Sequence, residues 1–205
     1  MPSRRAFILI STLFLSGILL SGCPKKAVII PPLEKPPYAD PIVTILEAFS
    51  PAETLQARAS IRIKTVRSGQ ESNFSVNGVI LFQRPDKLRI LGYHPLGMGL
   101  FDAFYLSGRF FLLSPLQKRA YTGEVAEFEG LFEKAGIRTY TEKPAGSQIP
   151  NRIRIDIEEK ETSVELRLKE ITLNNPLPED SFDWVVPQGV EVRPLTRLLK
   201  GKNPW

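Results

Sequence analysis

Ten residues constrain this chain more than any others. Between Leu55 and Lys64, the residues Leu55, Ala57, Ala59, Ile61 and Ile63 alternate with Gln56, Arg58, Ser60, Arg62 and Lys64. Successive strand side chains point to opposite faces, so this run has one apolar face and one wet face. A sheet built on it must bury one side and hydrate the other. Phe74, Val76, Ile80 and Phe82 share a face of the next run, and from Val79 the opposite face becomes apolar too, with Leu81. Leu88 and Ile90 alternate with Lys87 and Arg89 in a strand over residues 87–93. Residues 101–106 and 109–113 form a pair turned at Ser107-Gly108, with Phe110, Phe111, Leu112 and Leu113 apolar on both faces. Ile153, Ile155 and Ile157 alternate with charges, as do Val164, Leu166 and Leu168. At Glu170 the phase slips, which predicts a bulge or bend. Phe182, Trp184 and Val186 read as a last short strand. Short strands joined by tight turns predict an antiparallel meander.

Two or three helices are expected, at the start and in the middle of the strands. Asp40 caps a short helix with Pro41 at its first position, and Ile42, Ile45, Leu46 and Phe49 form its core-facing stripe. A second helix is predicted over 124–134, carrying Val125, Phe128, Leu131 and Phe132 and stopped by Gly136. A mobile loop is expected over 139–150, where Pro144, Gly146 and Pro150 fall. The fold class is therefore mainly β (α+β), a long, strongly curved antiparallel sheet with helices on it. A closed barrel would leave those helices outside, whereas an open half-barrel could use them as a lid.

The N-terminus has a different character. Arg4 and Arg5 precede an uncharged apolar run over 6–20, then Ser21, Gly22 and Cys23, the one cysteine of the chain. This is the layout of a secretory signal peptide, and the run is short for a spanning helix, which needs about 20 apolar residues. Leu20-Ser21-Gly22-Cys23 resembles the lipobox of bacterial lipoproteins, which implies a signal peptide over 1–22 and lipid attachment at Cys23. The alternative is an ordinary signal peptide with an incidental cysteine. Ser3-Arg4-Arg5-Ala6-Phe7 also resembles a twin-arginine signal, and the apolar run suits the general export route equally. Cleavage removes two bases and no acid, so the net charge falls from +5 to +3. No second cysteine remains to form a disulfide. An aspartate after the cysteine would resemble an inner-membrane retention signal, and Pro24 stands there instead, which points to the outer membrane.

Residues 23–41 form a tether with prolines at 24, 31, 32, 36, 37 and 41. Such density favours an extended arm of about 3.1 Å per residue. The domain proper spans 42–192. In the tail, 193–205, Arg193, Arg197, Lys200 and Lys202 accompany Leu195, Leu198 and Leu199. This basic amphipathic stretch suits an anionic lipid surface or a terminal helix packed on the domain.

Catalytic signals are missing. His94 is the one histidine and sits in a turn, and no phosphate loop or metal-ligand spacing occurs. The chain is expected to be no enzyme and to need no cofactor. Its bases are dispersed among acids, which argues against nucleic acid as a partner.

One turn breaks the rule that loops are polar. His94-Pro95-Leu96-Gly97-Met98-Gly99-Leu100 needs its proline and glycines for turning, but turning explains neither Leu96 nor Met98. Either the loop tucks into the sheet as core, or Leu96 projects and enters a membrane. Here the chain resembles the outer-membrane lipoprotein receptor family LolB and its soluble carrier relative LolA. The matching stretches are Pro85-Asp86-Lys87-Leu88-Arg89-Ile90, Pro95-Leu96-Gly97, the Ala-Arg-Ala-Ser strand at 57–60 and the late Phe182, Pro187 and Gly189, within about residues 46–190. Met98-Gly99 departs from the more polar residues expected after that turn.

The resemblance implies an open antiparallel half-barrel with a helical lid and a greasy cavity. It also implies a membrane-insertion loop made by Pro95, Leu96, Gly97 and Met98. The cavity residues expected from the strand pattern are Ile61, Phe74, Val76, Ile80, Phe82, Phe110 and Leu112. The implied function is a monomeric lipoprotein, anchored in the outer membrane and facing the periplasm. It would bind acyl chains of lipoproteins or other lipids, receive them from a LolA-like carrier, and help insert them into the membrane. The alternative is a non-catalytic envelope-assembly scaffold that uses the same sheet to bind a protein partner.

Overall fold

The structure is a computed structural model that describes Pro36, residues 40–128 and residues 130–197. The expected signal peptide, Cys23, nearly all of the expected tether and the tail beyond Arg197 lie outside the described residues. Everything below concerns the compact unit that begins at Lys35.

Among the described residues ten strands form one sheet: β1 (Thr54–Arg67), β2 (Gln70–Gln83), β3 (Lys87–Tyr93), β4 (Gly99–Leu106), β5 (Arg109–Ser114), β6 (Arg119–Glu124), β7 (Ile137–Glu142), β8 (Arg152–Ile157), β9 (Thr162–Leu173) and β10 (Glu191–Pro194). Their order is β10-β6-β5-β4-β3-β2-β1-β9-β8-β7, so among the described residues β10 and β7 are the edges and the sheet is open rather than closed into a barrel. Helix α1 (Pro41–Phe49) precedes β1, and a single-turn helix α2 (Leu131–Lys134) precedes β7. Among the described residues no helix is long and apolar enough to cross a membrane.

Local chemistry sets α1. The Asp40 carboxylate accepts a hydrogen bond from the Ile42 amide at 2.7 Å, and Pro41 fills the first position, where no amide partner is needed. β1 lies inside the sheet, paired along its whole length with β2 and over most of it with β9. The phase slip at Glu170 is a real bulge: Arg58 faces Lys169 while Gln56 faces Thr172, and Glu170 takes a positive φ of 49°.

Four sequence expectations need correction. The helix over 124–134 is broken into a 3-10 turn, Val125–Phe128, and α2, because Gly130 turns the chain with φ 75°. The loop expected from 139 begins later, since residues up to Glu142 belong to β7. Phe182, Trp184 and Val186 form no strand: Glu179–Phe182 is a 3-10 turn followed by extended chain outside the sheet. Finally, β10 pairs with β6 in parallel, which makes the sheet mixed rather than purely antiparallel, and it crosses the expected start of the tail at 193.

Candidate functional site

Directly paired residues share a face, so the registers sort the side chains into two sets. The first face carries Leu55, Ala57, Ala59, Ile61 and Ile63 of β1 opposite Phe82, Ile80, Gly78, Val76 and Phe74 of β2. It continues through Leu88 and Ile90, then Tyr105 and Ala103, then Phe110 and Leu112. On the other side of β1 it takes in Leu166 and Val164, then Ile153 and Ile155. Nearly the whole row is apolar.

Helix α1 covers one end of this face. Ile45 and Phe49 are buried, and the Phe49 ring meets Phe82 at 5.7 Å. Ile149, from the loop after β7, joins the same cluster with Leu55, Ile80 and Leu88. Away from that end the cover is incomplete: Ile63, Val76, Ile90, Phe101, Tyr105 and Val164 pack against the core yet remain only partly buried. Small residues keep this floor low. A Cβ on Gly92 would sit 2.2 Å from the Phe101 ring, so glycine is what lets that ring lie flat across the strand. Tyr105 meets Phe110 edge-on at 5.8 Å. Burial, followed by the nearby charges of Asp86 and Asp40, holds the Tyr105 hydroxyl above the ordinary tyrosine value.

The expected cavity residues therefore share one face but not one environment. Ile61, Ile80 and Phe82 are sealed in the solid core beneath and beside α1. Val76, Phe110 and Leu112 are half-buried on the partly covered floor, and Phe74 is 57% exposed near its rim. Two clefts of about 320 and 340 Å³ lie elsewhere, one around Lys64, Glu71 and Glu161 and the other around Arg109, Glu127 and Arg193.

The second face is closed differently. On β1, β8 and β9 it is charged, with pairs such as Arg152 to Glu165 at 2.5 Å. On β3 to β5 it carries Leu91, Phe104, Leu106, Phe111 and Leu113 between Lys87, Arg89, Asp102 and Arg109, and the chain after β9 runs over it as a strap. Trp184 packs on Phe104 at 5.3 Å and on Phe111 at 5.1 Å. Arg89 pins the strap. Its guanidinium donates to both Asp102 oxygens at 3.1 and 2.8 Å and to the Ser181 carbonyl at 2.8 Å, and it lies 4.5 Å above the Phe104 ring. Sequence reading missed this arrangement. Its one signal was Asp102, a lone acid among the apolar residues of β4.

The apolar turn caps the β3–β4 hairpin. The Gly97 amide donates to the His94 carbonyl at 2.7 Å, and the His94 amide donates to the Met98 carbonyl at 2.8 Å. Proline at the second position and Gly97 at the fourth, with φ 88°, suit this tight turn. His94 serves the turn itself: its Nδ1 accepts the Leu96 amide at 3.2 Å. The loop does not tuck into the sheet. Leu96 is 82% exposed and Met98 is 52% exposed, with Pro95 and Gly97 also on the surface.

No family model and no curated protein matches this chain. Among solved structures the chain is similar to a LolA superfamily protein from Nitrosomonas europaea, with 10% identity, a TM-score of 0.43, and coverage of 71% of this chain and 99% of that one. It is similar to a DUF1329 family protein from Desulfovibrio piger, with 8% identity, a TM-score of 0.39, and coverage of 71% and 98%. It is also similar to a domain assigned as an outer membrane lipoprotein-sorting protein from Vibrio parahaemolyticus, with 12% identity, a TM-score of 0.36, and coverage of 67% and 93%. None of these similar structures is a LolB protein.

Proposed function

We propose that this chain is a lipid-anchored envelope protein that holds acyl chains on the α1-bearing face of its sheet and releases them into a membrane at Leu96. One observation carries the reading. The second face carries charges on β1, β3, β8 and β9 and the Trp184 strap over Phe104 and Phe111, whereas the first is apolar across β2 to β5 and only half covered. An acyl chain laid on that floor gains about 0.8 kcal/mol for each methylene removed from water. No covalent chemistry is required: cargo moves from a carrier to this face and then to the bilayer down a gradient of affinity.

In this reading Cys23 carries the anchor, the outer membrane is the host, and a LolA-like carrier is the donor. Leu96 stands in water before the transfer and in lipid during it, so it lowers the last barrier. The test is the Leu96→Glu variant assayed for incorporation of lipoprotein into vesicles. A leucine side chain moved from water into an apolar phase is worth about 1.5–3 kcal/mol, so incorporation is expected to fall about ten- to hundredfold. Because the side chain makes little contact with the fold, stability is expected to stay within about 0.5 kcal/mol. Unchanged incorporation would remove Leu96 from the transfer step.

A further inference from the structure

The β3–β4 turn does not stand alone at its end of the sheet. β5 and β6 are joined at the same end by a 3-10 turn, Pro115–Gln117, and Leu116 within it is 65% exposed. The two turns are neighbours: a Cβ on Gly99 would lie 3.9 Å from the Pro115 ring. β2 runs on past Asn77, where β3 ends, as far as Gln70, which carries the exposed Phe74 to this end as well. Phe74, Leu96, Met98 and Leu116 thus gather at one end of the sheet, contributed by a strand and two tight turns.

We infer that the Pro115–Gln117 turn is a second membrane-contacting loop, with Leu116 entering the lipid interface beside Leu96; this rests on the membrane role proposed for Leu96. Two features favour lipid over a protein surface as the occupant. The first is backbone satisfaction. Lipid offers no partners to amides, and at these tips Pro95 and Pro115 have no N–H. The amides of His94, Leu96, Gly97 and Lys118 are bonded within their own turns. The second is size. A few side chains on convex turns fall far short of the roughly 1,000 Å² that a specific protein interface buries, whereas a lipid interface takes side chains singly. Lys118, exposed directly after the turn, is placed to stay with the headgroups.

The test uses the full chain with Cys23→Ser, carrying one new cysteine at a time: Leu96→Cys, Leu116→Cys, or Lys143→Cys in the exposed loop after β7. Each is labelled with an environment-sensitive fluorophore and mixed with vesicles of phosphatidylethanolamine and phosphatidylglycerol, with and without a shallow nitroxide lipid. Any attachment through the N-terminal apolar run is common to all three. The expected result is a blue shift and nitroxide quenching at 96 and at 116, with neither at 143. Quenching at 96 with a probe at 116 that behaves like the one at 143 overturns the second loop and leaves the role of Leu96 standing. Absence of quenching at both 96 and 116 overturns both.

Discussion

The strap over the second face makes a quantitative prediction. Asp102→Ala removes the carboxylate from Arg89 and leaves a guanidinium with side-chain exposure of only 20%, while Asp102 itself is 17% exposed. Breaking a fully buried pair costs about 3–5 kcal/mol, and breaking an exposed one about 0.2–1 kcal/mol. This pair lies nearer the buried limit, but Arg89 keeps the Ser181 carbonyl and the Phe104 ring as partners. A loss of about 2–3 kcal/mol is therefore expected. With a urea dependence of about 1–3 kcal/mol per molar, the unfolding midpoint falls by about 0.7–3 M. Replacing both partners, Arg89→Met with Asp102→Leu, removes the charges together and leaves mainly the lost bond to Ser181, about 1 kcal/mol. The double variant should thus be more stable than the single one. The assay is urea unfolding followed by Trp184 fluorescence in a Trp205→Phe background, since the chain has two tryptophans. A single-variant loss below about 0.5 kcal/mol, the ordinary range of surface changes, would refute the reasoning, as would a double variant less stable than the single one.

Two further outcomes follow from the core and from the charged face. Phe49→Ala empties a fully buried site against Phe82 and should cost about 3–5 kcal/mol, lowering the thermal midpoint by roughly 10 °C in calorimetry. Burial alone would raise the pKa of Glu165, but hydrogen bonds from Arg152 at 2.5 Å and Arg167 at 2.6 Å hold it below the ordinary glutamate value. Its contribution to stability is therefore complete above about pH 4.3 and is lost as pH falls through the lower folded value. Glu165→Gln should flatten that acid limb in a pH series of urea midpoints, and an unchanged acid limb would count against it.

Legibility in the sequence followed burial on one face or two. β1, β8 and β9 alternate cleanly because one face is charged and wet, and the bounds of β3 are legible because Leu88 and Ile90 alternate with Lys87 and Arg89 between turn residues. Even the bulge at Glu170 showed, since a phase slip puts isoleucine and leucine on the wrong parity. β6 and β7 did not show: Arg119-Ala120-Tyr121-Thr122-Gly123 mixes small and polar residues, and β7 is an edge strand with threonines on its inner face. The strap could not be read as a strap because Phe182, Trp184 and Val186 alternate like a strand; what decides their state is the apolar outer face of β4 and β5, which lies far away in sequence. The proposed site is half legible. An apolar turn with more leucine than turning requires announced Leu96, whereas Leu116 hid directly after a strand already apolar on both faces. Among the expected cavity residues, alternation found the face, but it could not tell which part α1 seals.

The central claim is that the half-covered floor takes acyl chains, and photo-crosslinking tests it most directly. The full chain is irradiated with a diazirine-bearing palmitate, with unlabelled palmitate as competitor, and the adducts are mapped by peptide mass spectrometry. The expected result is saturable labelling on Val76, Ile90, Phe110 or Leu112. Labelling that competitor leaves unchanged, or that falls on the charged outer face around Arg58 and Arg167, would contradict it.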